Sequence, residues 1–312
     1  MAQSPEARQF AVEQVDRLLG QLAFQVSRTL RPHDPISVHH LRVAVRRFSR
    51  ALLVFEPWFR TQDVKKIRRQ LEEIMVPARE FRDSDLALNL LSTTKKMEAA
   101  DLLVDLGRQR KDAEHMLLGS LRRWMQRKSS LKWRTKLHNA FAGAKKSLPE
   151  TAHELAAELL PDLAQAFFDR GKQAVDAAGS AGELHPFRAA AKRFRYTLEL
   201  FAGLYGPALG PWLERIRSVQ ALAGSIADCT SVRKRVARAV GGDDLDTILE
   251  KRQRERIDEF QREWTQGFAS PAQASEWIHY LRYFCASRHT ARKPMARSVS
   301  VSSLTRQRSR RA

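Results

Sequence analysis

Apolar residues return every three or four positions through most of the chain, and no stretch shows the sustained apolar/polar alternation and Val/Ile/Thr enrichment of a strand. The pattern predicts helices near 5–30, 37–56, 62–76, 83–93, 96–127 and 130–146, divided by breakers such as the RPHDP and EPWF stretches and the Val76–Pro77 pair. After the KKSLPE stretch the list restarts, with helices near 151–178, 183–203, 209–223, 229–240, 244–266 and 272–287. The expected fold class is all-α.

The restart keeps register. His39, Arg42, Arg46 and Arg47 stand 146 positions before His185, Arg188, Lys192 and Arg193, and Phe48 and Phe55 stand in the same relation to Phe194 and Phe201. Arg69 and Arg215 continue the series, and Asp83 pairs with Asp228 after a slip of one residue. So long a period, present twice, is a duplicated half-domain and not a solenoid repeat of roughly 20–50 residues. Residues 1–146 form the first expected half and 147–290 the second. Two such halves are expected to pack about a pseudo-two-fold axis, which would turn equivalent faces toward one central region.

Within each copy the helix separates two faces. At about 100° per residue, Arg42, Arg46 and Arg50 lie within roughly 60° of His39, while Leu41, Ala44, Val45, Phe48, Leu52 and Phe55 take the opposite arc. Arg47 sits on the flank. In the second copy His185, Arg188, Lys192 and Tyr196 make the stripe, with Arg195 beside it and Arg193 on the flank. Arginines four apart repel by a few tenths of a kcal/mol, and no acid lies between Ile36 and Phe55 to offset this. An anionic ligand would relieve that repulsion on both copies. Pro186 implies a helix starting near Glu183 or Leu184, which would set His185 and Arg188 at an N-terminus that also favours phosphate. Asp83 and Asp228 read as N-caps or as partners for a neighbouring arginine, not as general bases.

Charge sharpens the picture. The chain carries 55 Lys and Arg against 35 Asp and Glu, a formal +20 with a pI near 10.6. Eight of the cations, and no acid, follow Cys285. A body this basic attracts polyanions even without its tail. The Ser- and Arg-rich segment 291–312 has no core pattern and is expected to be disordered. Two cysteines in separate segments argue against a disulfide framework or a thiolate metal site. With no signal-like N-terminus and no run of about 18 apolar residues, the expected location is cytoplasmic, without a membrane partner.

The paired VHxxRVxxRR-like and LHxxRxxxKRxRY-like segments, each followed by an arginine-bearing helix and an aspartate, resemble the CHAD family, the conserved histidine α-helical domain. The likeness covers residues 1–290. It implies two pseudo-symmetric helical bundles around a basic central cavity or pore. It also implies a partner, inorganic polyphosphate, and a place at polyphosphate granules. Carried over by position, the binding residues are His39, Arg42, Arg46, Arg47, His185, Arg188, Lys192, Arg193, Arg195 and Tyr196. Arg50 joins them from the stripe, and Arg69 with Arg215 from the following helix. Ser49 and Arg50 stand where the second copy has Arg195 and Tyr196, so the first half would contact ligand differently.

Three function classes then compete. Non-catalytic polyphosphate binding is the leading expectation. A nucleic-acid-binding, nucleoid-associated protein is the alternative, favoured by the net charge and the arginine tail but lacking base-stacking or groove-reading motifs. An enzyme or metal protein using the histidines is the third. No HExxH, no ExExK-like motif and no carboxylate in ligand register accompanies the motif, so neither catalysis nor a cofactor is expected.

Overall fold

Phe10, Ala11, Val15, Leu18, Leu19, Leu22 and Val26 recur at helical spacing and are buried along one face of α1 (Ala7–Thr29). The computed structural model describes residues 6–31, 36–92, 100–139, 148–177, 181–239 and 243–290. Ten α-helices run through them: α1, α2 (Ser37–Val54), α3 (Thr61–Ser92), α4 (Ala100–Gln126), α5 (Ser129–Asn139), α6 (Ala152–Asp176), α7 (Ala181–Phe201), α8 (Leu209–Ala239), α9 (Asp243–Gly267) and α10 (Pro271–Thr290). The described residues contain no strand. The segment 291–312 and His33 lie outside the described residues.

The main helix contacts run in parallel order in the two halves. In the first, α1 packs on α2 and α5, α2 on α3, and α3 on α4; in the second, α6 packs on α7 and α10, α7 on α8, and α8 on α9. Between halves, α1 meets α6, α2 meets α7 and α3 meets α8. Phe55 and Phe201, equivalent in sequence, meet with ring centroids 6.0 Å apart, and Phe10 stacks on Phe201 at 5.5 Å. One continuous apolar core therefore runs through both halves. A small separate core of Ala87, Leu91, Leu102, Leu106, Val232, Val236 and Leu249 joins the far ends of α3, α4, α8 and α9. The starts of α1 and α6 are tied together as well, by Ala7 N–H donating to the Glu150 carbonyl at 2.9 Å. Thr151 and Glu154 form a capping box that fixes where α6 begins.

Four expectations about breaks, caps and helix starts are corrected. Residues 62–76 and 83–93 belong to one helix, α3, which runs through Pro77. A proline inside a helix costs about 3 kcal/mol, yet Ile74, Met75, Ala78 and Phe81 are buried on both sides of it, and their packing offsets the lost hydrogen bond. Residues 209–223 and 229–240 likewise fuse into α8, where Val219, Ala223, Ile226 and Cys229 keep the buried face continuous. Asp83 and Asp228 therefore sit inside long helices and cap nothing. Finally, α7 begins at Ala181, so Pro186 and His185 lie in its second turn and the expected phosphate-binding N-terminus is not formed at His185.

Helix α6 approaches α9 closely enough to require a glycine. A Cβ built on Gly171 would lie 1.8 Å from the Trp264 ring, which is itself packed among Phe167, Phe187 and Phe268. Gly171→Ala is expected to destabilise the protein by about 2 kcal/mol, because neither the helix nor the ring has space to move. A urea denaturation midpoint equal to that of the parent would refute this.

Candidate functional site

A cavity of about 590 Å³ opens between α2, α3 and α7. The polar stripe of α2 supplies Arg46 and Arg50, α7 supplies Lys192 and Arg193, and α3 adds Arg68, Arg69 and Arg79. Seven cations thus face one carboxylate, Glu72, which accepts a hydrogen bond from Arg79 at 2.7 Å. The repeated amphipathic pattern explains the placement, since burying Phe48 and Phe194 in the core turns both charged stripes away from it. The side chains of Arg46, Arg68, Arg69, Lys192 and Arg193 make no hydrogen bond or ion pair among the described residues. Arg50 is steadied by donating Nε to Thr197 Oγ1 at 2.7 Å.

Beside this cavity the two copies interact directly. Burial first, and then the neighbouring Arg188, Arg46 and Arg42, together pull the Lys192 pKa down to about 8, against the attraction of Asp228. Burial and the neighbouring Arg46 pull Arg42 down to about 10, against the attraction of Asp83 and Asp228. Arg188 is lowered by burial, with Asp228 opposing. The Nε atoms of Arg42 and Arg188, equivalent positions, are both buried without a hydrogen-bond partner among the described residues. The His39 pKa is lowered by burial and then by Arg82, His40, Arg42 and Arg46. Asp228 is raised by burial while Arg188 and Arg82 oppose. The two aspartates serve as partial counter-charges to arginines, one of the two roles their sequence positions suggested.

Not every expected residue joins the cavity. Arg47 donates Nε to Glu199 Oε2 at 2.9 Å, and Arg195 reaches Glu199 Oε1 at 3.3 Å and Gln220 Oε1 at 2.8 Å. Both are committed to Glu199, which Arg217 also approaches at 3.2 Å. Arg195 is buried, its guanidinium 4.4 Å from the ring centre of Tyr196. Tyr196 is buried too, and forms part of the cavity wall. His185 and Arg188 line a separate 220 Å³ pocket with Thr230, Ser231 and Lys234 of α8. Arg215 is exposed on α8 and lines none of these pockets, unlike its equivalent Arg69.

Arg68, Arg79 and Arg82 were missed by sequence reasoning. With Glu72 and Met75 they follow a spacing of 4, 3, 4 and 3 residues and so share one face of α3. Ending a helix at Pro77 cuts this row in two and hides it.

The sequence matches the CHAD domain over residues 13–237. No curated protein matches it. The fold is similar to the crystal structure of the CHAD domain from the plant Ricinus communis, with a TM-score of 0.62 at 18% identity, covering 94% of this chain and 90% of that one. It is also similar to PptA from Streptomyces chartreusis, with a TM-score of 0.56 at 16% identity over 85% of this chain and 100% of that one. Both are similarities of fold; the sequence match spans more than half of the chain, and the chain belongs to the CHAD domain family.

Proposed function

We propose that this protein binds inorganic polyphosphate without transforming it, and that it does so at polyphosphate granules. The observation that carries this reading is the convergence of α2, α3 and α7 on one cavity whose cations outnumber its carboxylates seven to one. Fixed guanidiniums without internal partners are what a chain of phosphates needs, because each can donate two hydrogen bonds and keeps its charge. The duplication supports the reading too: the buried Nε atoms of Arg42 and Arg188 are matching orphan donors in the two halves. Asp83 and Asp228 lie among Arg42, Arg82 and Arg188, whose charge would repel a divalent cation, so we assign the site to binding and not to metal-assisted phosphoryl transfer. No helix of the described residues is long and apolar enough to cross a membrane.

Binding that neutralises about six phosphates should weaken by roughly two to three orders of magnitude between 50 and 200 mM salt. Fluorescence titration with long-chain polyphosphate at those two concentrations measures it. Duplex DNA serves as the competitor. If DNA displaces polyphosphate as readily as unlabelled polyphosphate does, the protein is a general polyanion binder of the nucleic-acid class and the proposal fails.

Lys192 adds a pH dependence. Its folded-state value of about 8 lies below the ordinary lysine value of 10.5, so the free protein loses this charge as pH rises through 8. A bound polyanion restores the proton. Affinity should therefore fall between pH 7 and 9 with proton uptake on binding near pH 8, and the unliganded fold should gain stability between about pH 8 and 10.5. Calorimetry in two buffers of different ionisation enthalpy tests the uptake; Lys192→Met should flatten the profile, and an unchanged profile would exclude Lys192 as its source.

A further inference from the structure

We propose that the cavity between α2, α3 and α7 also takes a nucleoside polyphosphate, with the phosphates on its cationic wall and the base against its apolar floor. This rests on reading that wall as a phosphate site, and it adds an organic ligand class to it.

The stripe of α2 does not end in a cation. His39, Arg42, Arg46 and Arg50 are followed on the same face by Leu53, which is 36% exposed and lines the cavity. A single exposed leucine is ordinary, but this one shares the cavity with Val45, Met75 and the ring of Tyr196. A phosphate chain is hydrophilic on all sides and gains nothing from such a floor. A purine gains by burial there, and arginine planes beside it can stack on its faces.

Glu72 points the same way. A wall that met only phosphates would be weakened by a carboxylate, yet Glu72 lines it, one of its oxygens accepting from Arg79, and Ser49 lines it too. These groups can accept hydrogen bonds from ribose hydroxyls or a base amino group, which inorganic phosphate does not offer. The volume of about 590 Å³ is within the range of sites that enclose small organic ligands.

The test compares ATP with inorganic tripolyphosphate by calorimetry on the full chain, without divalent metal and at one ionic strength. Both carry three phosphates, and tripolyphosphate carries more charge, so electrostatics alone favours the inorganic ligand. The expected result is ATP binding at least five-fold more tightly. Leu53→Gln, at an exposed position that does not threaten folding, should shrink that ratio about three-fold or more. Tripolyphosphate binding as tightly as ATP, or a ratio untouched by Leu53→Gln, would overturn the proposal. Long-chain polyphosphate is titrated alongside: if it binds while ATP has no advantage, only this inference fails, and if it does not bind, the phosphate reading beneath it fails as well.

Discussion

Arg42→Met/Arg188→Met is expected to weaken polyphosphate binding about 100-fold while making the free protein more stable. The two effects share one cause. Each guanidinium has a buried Nε with no partner among the described residues, and the pKa of both is lowered, chiefly by burial, that of Arg42 to about 10. An unsatisfied buried donor costs about 1–3 kcal/mol. Methionine keeps most of the apolar stem and removes the stranded charge, and the lost attraction to Asp83 and Asp228 offsets only part of the gain, leaving ~1 kcal/mol of added stability. On the proposed function, the same guanidiniums would donate to phosphate oxygens in the complex. A charge-assisted hydrogen bond contributes about 1.5–3 kcal/mol, so losing two that are not fully additive removes about 3 kcal/mol, slightly more than 100-fold in Kd. Denaturant titration and polyphosphate binding on the same samples measure both. A less stable variant that binds normally would mean these arginines serve the fold and not a ligand.

That sign could not be read from the sequence, although the residues could. Period, duplication and the two charged stripes are properties of side-chain order on a helix, so His39, Arg42, Arg46, Arg188 and Lys192 were legible from spacing alone. The partners were not. Glu199 lies one helical turn past Arg195 and looks like an ordinary surface acid, yet it is a largely buried hub that takes Arg47 from the other half and Arg217 from α8. Such a contact depends on how α2 crosses α7, which no local pattern encodes. Pro77 misled for a related reason: propensity ends a helix there, while burial of Ile74, Met75, Ala78 and Phe81 carries it on. Once α3 is continuous, Arg68 and Arg79 fall into line with the cavity, and Arg82 with the Arg42 cluster beside it, without any further assumption.

Glu199→Ala should produce the opposite pair of effects. Its side chain is only 12% exposed and accepts from Arg47, Arg195 and Arg217, so it compensates three cations that belong to three helices. Removing one member of a buried ion network typically costs 3–5 kcal/mol, because the remaining charges stay desolvated. Arg47 and Arg217, at 34% and 39% exposure, can turn toward water, whereas Arg195 at 10% cannot, which places the expected loss near 3 kcal/mol. Glu199→Gln, keeping the shape and one acceptor oxygen, should lose about half of that. Released from Glu199, Arg47 and Arg217 add positive potential to a molecule that is already strongly basic, and Tyr196 lines both their pocket and the main cavity. Polyphosphate affinity at low salt should therefore rise a few-fold as stability falls. If Glu199→Ala instead lowers affinity in proportion to stability, the hub holds the site in shape, and the opposition between folding and anion binding inferred for Arg42 and Arg188 does not extend to it.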